Sequence, residues 1–171
     1  MLVPIPAAES VVGPFRASLD SAAGLGVPAH VTVISPFVPP ERIDDAVIGA
    51  LAGAISSVPA FDVTFAQVRW FGPQVMWLAP EPAAPFSALI TAVWRAFPGW
   101  PPYGGAYRET VPHLTVGIGH PPGVLEAAAR AIEPDLPVLA RITSARLMQG
   151  SEQRGSWRTV AELPLGPLAA H

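Results

Sequence analysis

The chain has 171 residues, 50% of them hydrophobic, and a net charge of −3 with only 13% charged residues, so it is long and apolar enough to bury a sizeable core. It contains no cysteine, and all ten basic residues are arginine. Disulfides, thiolate nucleophiles and cysteine-built metal or iron–sulfur sites are therefore excluded. So are a Walker-type phosphate loop, a Schiff-base enzyme and a lysine-activated nucleophile.

No apolar run approaches the ~20 residues that span a bilayer. The opening Met-Leu-Val-Pro-Ile-Pro lacks the basic start and apolar segment of a signal peptide. A cytoplasmic location with no membrane partner is expected. The low positive charge argues against a long duplex as partner, because such binding needs a broad basic surface. Residues 1–85 hold three arginines against seven acids, and residues 86–171 seven against six. A small or terminal phosphate suits that distribution better.

In chain order, residues 2–6 read as a short strand. Val12, Phe15 and Leu19 give residues 9–20 a helical period, tolerating Gly13-Pro14 only if the first turn lies there. Residues 21–29 read as loop, leading into a strand from His30 to Ser35 that Pro36 ends. Ile43, Val47, Leu51 and Ile55 trace one stripe of a helix over 41–56. Phe61 to Trp70 and Val75 to Ala79 read as a hairpin around Gly72-Pro73-Gln74. A second helix opens near Glu81–Pro85 and buries Phe86, Leu89, Ile90, Val93 and Phe97. Residues 98–112 form a loop loaded with Trp100, Tyr103, Tyr107 and Arg108. A strand from His113 to Gly119, a helix through Ile132 and a closing hairpin of Val138–Gln149 with Trp157–Leu165 complete the chain.

Two short runs repeat: His30-Val31-Thr32-Val33 and His113-Leu114-Thr115-Val116. On a strand each histidine shares a face with its threonine, while the apolar pair faces the other way. The histidines are 83 positions apart, and Val63-Thr64-Phe65-Ala66-Gln67-Val68 echoes Ile142-Thr143-Ser144-Ala145-Arg146-Leu147 at a separation of 79. The order helix, loop, His-x-Thr strand, turn, helix, strand, strand occurs twice. This implies an internal duplication. The expected fold is α+β: two pseudo-symmetric lobes, about 1–80 and 81–171, each an antiparallel sheet with helices packed outside, forming one bilobal unit with room for strand exchange between the lobes.

A pseudo-twofold brings the two histidine faces together. In-line cleavage of a phosphodiester needs one group to take a proton from the incoming oxygen and another to give one to the leaving oxygen. Two imidazoles do this near neutral pH when one is neutral and one charged. Two threonine hydroxyls then steady the negative non-bridging oxygens. The scheme needs neither metal nor cofactor. His120 falls on the opposite strand face at a turn, and His171 is the last residue of the sequence; neither has metal-ligand spacing.

These paired motifs, in a duplicated α+β chain of this length, resemble the 2H phosphoesterase superfamily and are similar to its bacterial 2'-5' RNA ligase-like branch. The resemblance implies a groove between two lobes, with His30 and His113 as general acid and base and Thr32 and Thr115 as phosphate ligands. It further implies metal-independent cleavage, or reverse ligation, of a cyclic phosphodiester or 2'-5' linkage in a nucleotide or RNA end, as in RNA processing. Phe37, Tyr103 and Tyr107 are candidates to stack on a base, and Arg108, Arg154 and Arg158 to meet a second phosphate. The alternative is a non-catalytic module that keeps the cleft to bind a nucleotide or RNA end. Oligomeric state leaves no readable signal.

Overall fold

Strand β1 (Leu2–Pro4), helix α1 (Glu9–Leu19) and strand β2 (His30–Thr32) make the first structural unit, with β2 antiparallel to β1. The computed structural model describes residues 1–168; the sequence reading of His171 lies outside them. Between α1 and β2 the chain makes a short helix α2 (Ser21–Gly24) where the sequence reads as loop. Asp20 explains it, since its carboxylate accepts the Ala22 N–H at 3.0 Å and caps that turn. Pro14 sits inside α1 rather than in its first turn. It and Ser10, whose carbonyl it leaves without the usual i+4 donor, both face solvent.

The pattern recurs downstream. Helix α3 (Asp45–Ser56), capped by Asp44 through the Val47 N–H at 2.9 Å, leads into the hairpin β3 (Phe61–Phe71) and β4 (Val75–Glu81). Helix α4 (Ala84–Ala96) and strand β5 (Leu114–Ile118) follow, with β5 antiparallel to β4, just as β2 is to β1. Helix α5 (Pro122–Ile132) starts with proline in its first turn, where the missing N–H costs nothing.

The expected last long strand is two strands. Residues 138–149 break at Thr143 into β6 (Val138–Ile142) and β7 (Ser144–Gln149), which belong to different sheets; β7 then forms the expected hairpin with β8 (Arg158–Pro164). The inward residues change parity here, from Val138 and Ile142 to Ala145 and Leu147. A single flat strand cannot bury both sets.

The fold is thus α+β, with two four-stranded antiparallel sheets ordered β2-β1-β7-β8 and β5-β4-β3-β6. Both sheets draw strands from both halves of the chain. Each His-x-Thr run lies at the edge of its own sheet, and the two edges, β2 and β5, lie against each other. One continuous apolar core runs beneath both sheets, including Val31, Val33, Leu114 and Val116, all at most 2% exposed. Among the described residues no helix is long and apolar enough to cross a membrane.

Candidate functional site

Strand alternation sets the two motifs as their sequence implies. Val31 and Leu114 are buried in the core, while His30, Thr32, His113 and Thr115 are half-buried on the opposite face. Each imidazole is fixed in the same way. His30 Nδ1 donates to the Pro28 carbonyl at 2.7 Å, and His113 Nδ1 donates to the Val111 carbonyl at 2.7 Å, in both cases two residues back. An acceptor at Nδ1 selects the Nδ1–H tautomer and leaves Nε2 free to take a proton.

The segment carrying His30 is pinned from α1. The Glu9 carboxylate accepts the Ala29 N–H at 2.6 Å, and Arg16 reaches the Val27 carbonyl at 3.3 Å. Arg16 is 1% exposed and paired with Asp20 at 2.8 Å. Burial, with the Arg16 charge adding to it, pushes His30 down to about 4 against the opposing bond to Pro28. Burial also lowers His113, opposed by its bond to Val111. Both rings are neutral in the free protein near pH 7.

Tyr103 stands beside both motifs. Its hydroxyl faces the Thr32 side chain, and its ring lies nearly parallel to the His113 imidazole, 18° apart in plane with centroids at 6.5 Å. Burial raises its pKa, so the phenol stays protonated. Tyr103 holds φ 51°, the one positive-φ non-glycine among the described residues, in a turn continued by Gly104 and Gly105 at φ 64° and 79°. A β-carbon in that region costs about 1–2 kcal/mol, and such strain concentrates at working sites.

A cavity of about 440 Å3 opens beside His113 and Thr115, lined further by Phe71, Val75, Tyr103, Tyr107, Glu109, Thr110, Val111 and Ile118. Phe71 stands edge-on to His113 at 5.0 Å and stacks on Trp77 at 4.6 Å. Trp77, cross-strand partner of Thr115, is 8% exposed and its Nε1–H has no partner in the protein.

The remaining sequence candidates are dispersed. Tyr107 packs edge-on to Tyr103 at the cavity. Phe37 lies away from it, its ring against Phe97 at 5.1 Å and Trp100 at 6.4 Å. Arg108 is exposed on the same loop, outside the cavity lining. Arg154 lines a separate cavity with Glu9, Arg16 and Pro28, behind the segment that carries His30. Arg158 is exposed on β8 opposite Gln149, and His120 sits in the turn before α5. Phe71, Trp77 and Glu109 were not readable as site residues. The only signal was the cross-strand register, Trp77 opposite Thr115 and Phe71 opposite Val75.

The adjoining strand edges carry two free imidazole nitrogens and two hydroxyls, and His113, Thr115 and the Tyr103 phenol line the aromatic-walled cavity. That set can move two protons and hold an anion. Over residues 3–154 the chain matches the 2'-5' RNA ligase superfamily. No curated protein matches it in sequence. Solved structures sharing the fold include E. coli LigT complexed with 3'-AMP, at 18% identity over 96% of this chain and 95% of that one, TM-score 0.57. A phosphoesterase superposes with TM-score 0.57 at 21% identity, covering 96% of each chain. E. coli LigT complexed with ATP gives TM-score 0.54 at 19% identity, over 96% and 95% of the two chains. The family match, alongside the shared fold, supports a phosphoesterase or RNA ligase-type function. With paired His-x-Thr edges on two exchanged sheets and a match spanning most of its length, the chain belongs to the 2'-5' RNA ligase superfamily, among the 2H phosphoesterases.

Proposed function

We propose that the protein is a metal-independent phosphodiesterase that opens cyclic phosphodiesters, or cleaves 2'-5' linkages, in a nucleotide or RNA end, and runs the reverse ligation when the ends favour it. The observation that carries this reading is the matched pair of imidazoles. Each is locked at Nδ1 by the carbonyl two residues back, each stands beside a threonine, and they lie on adjoining strand edges.

For a 2',3'-cyclic phosphate, His30 Nε2 takes a proton from water as the water oxygen bonds phosphorus. The P–O bond to one ribose oxygen breaks, and that oxygen takes a proton from His113. One water is added, and the two histidines end with their proton states exchanged. The assignment follows from burial: a ring held near 4 is neutral and ready to accept at physiological pH. The negative charge of a bound phosphate favours the imidazolium at His113. Thr32 and Thr115 donate to the non-bridging oxygens, where charge gathers in the transition state. Small nucleotides and RNA termini in the cytoplasm are the substrates this reading implies, rather than long duplexes.

The test is turnover of a 2',3'-cyclic nucleotide panel and a 2'-5' dinucleotide in EDTA. His30→Ala and His113→Ala should each lose roughly 10²–10⁴-fold in kcat. Turnover equal to wild type in either variant overturns the pair as acid and base. Nucleotide binding without turnover by the parent protein would make the cleft a binding module.

A further inference from the structure

We infer that the cavity beside His113 is a base-binding subsite selective for guanine, with Glu109 reading the base edge; this rests on the nucleotide-phosphodiesterase reading above. Exposed apolar side chains concentrate there. Tyr107 is 67% exposed, Val111 and Ile118 47% each and Phe71 37%, and all four border this one cavity. A cluster of that kind beside polar groups marks a surface that a ligand covers. Tyr107 is the most exposed aromatic ring of the set and leaves a face open for stacking.

The size and position fit one nucleoside. About 440 Å3 is within the range of small-ligand pockets. His113 and Thr115 belong to the lining, so a phosphate held between the two motifs leaves its base among the aromatic rings. A base presents apolar faces and a polar edge. The aromatic rings take the faces, and the edge meets what is polar in the lining.

That polar part is chiefly Glu109. The salt bridges among the described residues join Arg16 with Asp20, Arg141 with Asp62 and Arg146 with Glu162, so the Glu109 carboxylate is committed to none. An ionised carboxylate only accepts hydrogen bonds, through two oxygens. Guanine matches it with two neighbouring donors, N1–H and the N2 amino group. Adenine and cytosine offer one amino group each. Uracil flanks its single N–H with two carbonyl oxygens, which the carboxylate repels. The order of preference is therefore guanine first and uracil last.

Two measurements test this together: calorimetric binding of guanosine, adenosine, cytidine and uridine 3'-monophosphates, and relative kcat/KM on the four 2',3'-cyclic nucleotides. Guanosine should exceed uridine by roughly tenfold or more, as a well-placed bidentate pair discriminates. Glu109→Gln, which replaces one acceptor oxygen with a donor, should collapse the guanosine-to-adenosine ratio, and Tyr107→Ala should weaken all four ligands. Four ligands bound within twofold of one another, or a ratio unchanged in Glu109→Gln, overturns base selection. Loss of all turnover with the guanosine ranking intact in binding would overturn the phosphodiesterase reading and leave the subsite standing.

Discussion

At the scale of single residues, the proposed chemistry turns on the protonation of two imidazoles. His30 is held near 4 and His113 below the ordinary histidine value. Activity through a neutral His30 and a charged His113 therefore peaks on the acid side of neutrality. The kcat/KM profile should be bell-shaped, with its acid limb near 4 from His30 and its basic limb below ~6.5 from His113. A profile flat across that window, or rising to pH 8, would refute the assignment. The buried Arg16–Asp20 pair stands behind His30. Asp20→Ala strands a guanidinium that is 1% exposed, and urea denaturation should register a loss of about 3–5 kcal/mol. Pairing of His with Thr was legible in the sequence because strand parity is local. The partners Phe71 and Trp77 were not, since they reach the site through the register between β3, β4 and β5, which no short stretch encodes.

At the scale of elements, β5 carries its motif because two helices press on its back. Gly117 permits it: an added β-carbon would lie 2.7 Å from Leu125 Cδ2 on α5 and 3.1 Å from Leu19 Cβ on α1. Gly117→Ala should cost about 1–3 kcal/mol by overpacking, read as a lower denaturant midpoint with an unchanged slope. An unshifted midpoint would mean the helices give way freely. The elements missed by sequence periodicity each have a local cause. Helix α2 depends on the Asp20 cap, whose pairing with Arg16 orients it. The break at Thr143 follows a change of inward parity. In the echoing stretch of β3 the buried Val63 and Phe65 give way to the half-buried Val68 packed on the core, but a bulge between Phe65 and Gln67 absorbs the change and the strand stays in one sheet. Similar sequence thus gives a kink in one copy and a crossing between sheets in the other.

At the scale of the molecule, acid should unfold the protein by a route that passes through the site. The His30 pKa is about 4 when folded and 6.5 when unfolded. Between those values the unfolded chain binds the extra proton, so stability is full above pH ~6.5 and falls as pH drops toward 4. The loss from this group approaches about 3 kcal/mol at most. Denaturation midpoints measured from pH 7 to 4 should fall less steeply in His30→Gln than in wild type; parallel curves would mean other groups dominate. The overall α+β layout was legible because the motifs, helices and hairpins repeat in order. Strand exchange was allowed for, but which strands cross was not legible, because that is a long-range choice between sheets.

That interleaving has a consequence for how such a protein can change. With both sheets drawing on both halves and one core beneath them, the separation of the two imidazoles is set by interior packing rather than by a hinge. The loop of residues 98–112, which supplies Tyr103, Tyr107 and Glu109 to the cavity, is attached to that frame at its two ends. On the proposed reading, proton transfer and ligand choice thereby fall to separately mutable parts. A drifting or grafted loop can explore new substrates while the reacting pair keeps its spacing, and the scaffold tolerates that exploration without renegotiating its chemistry.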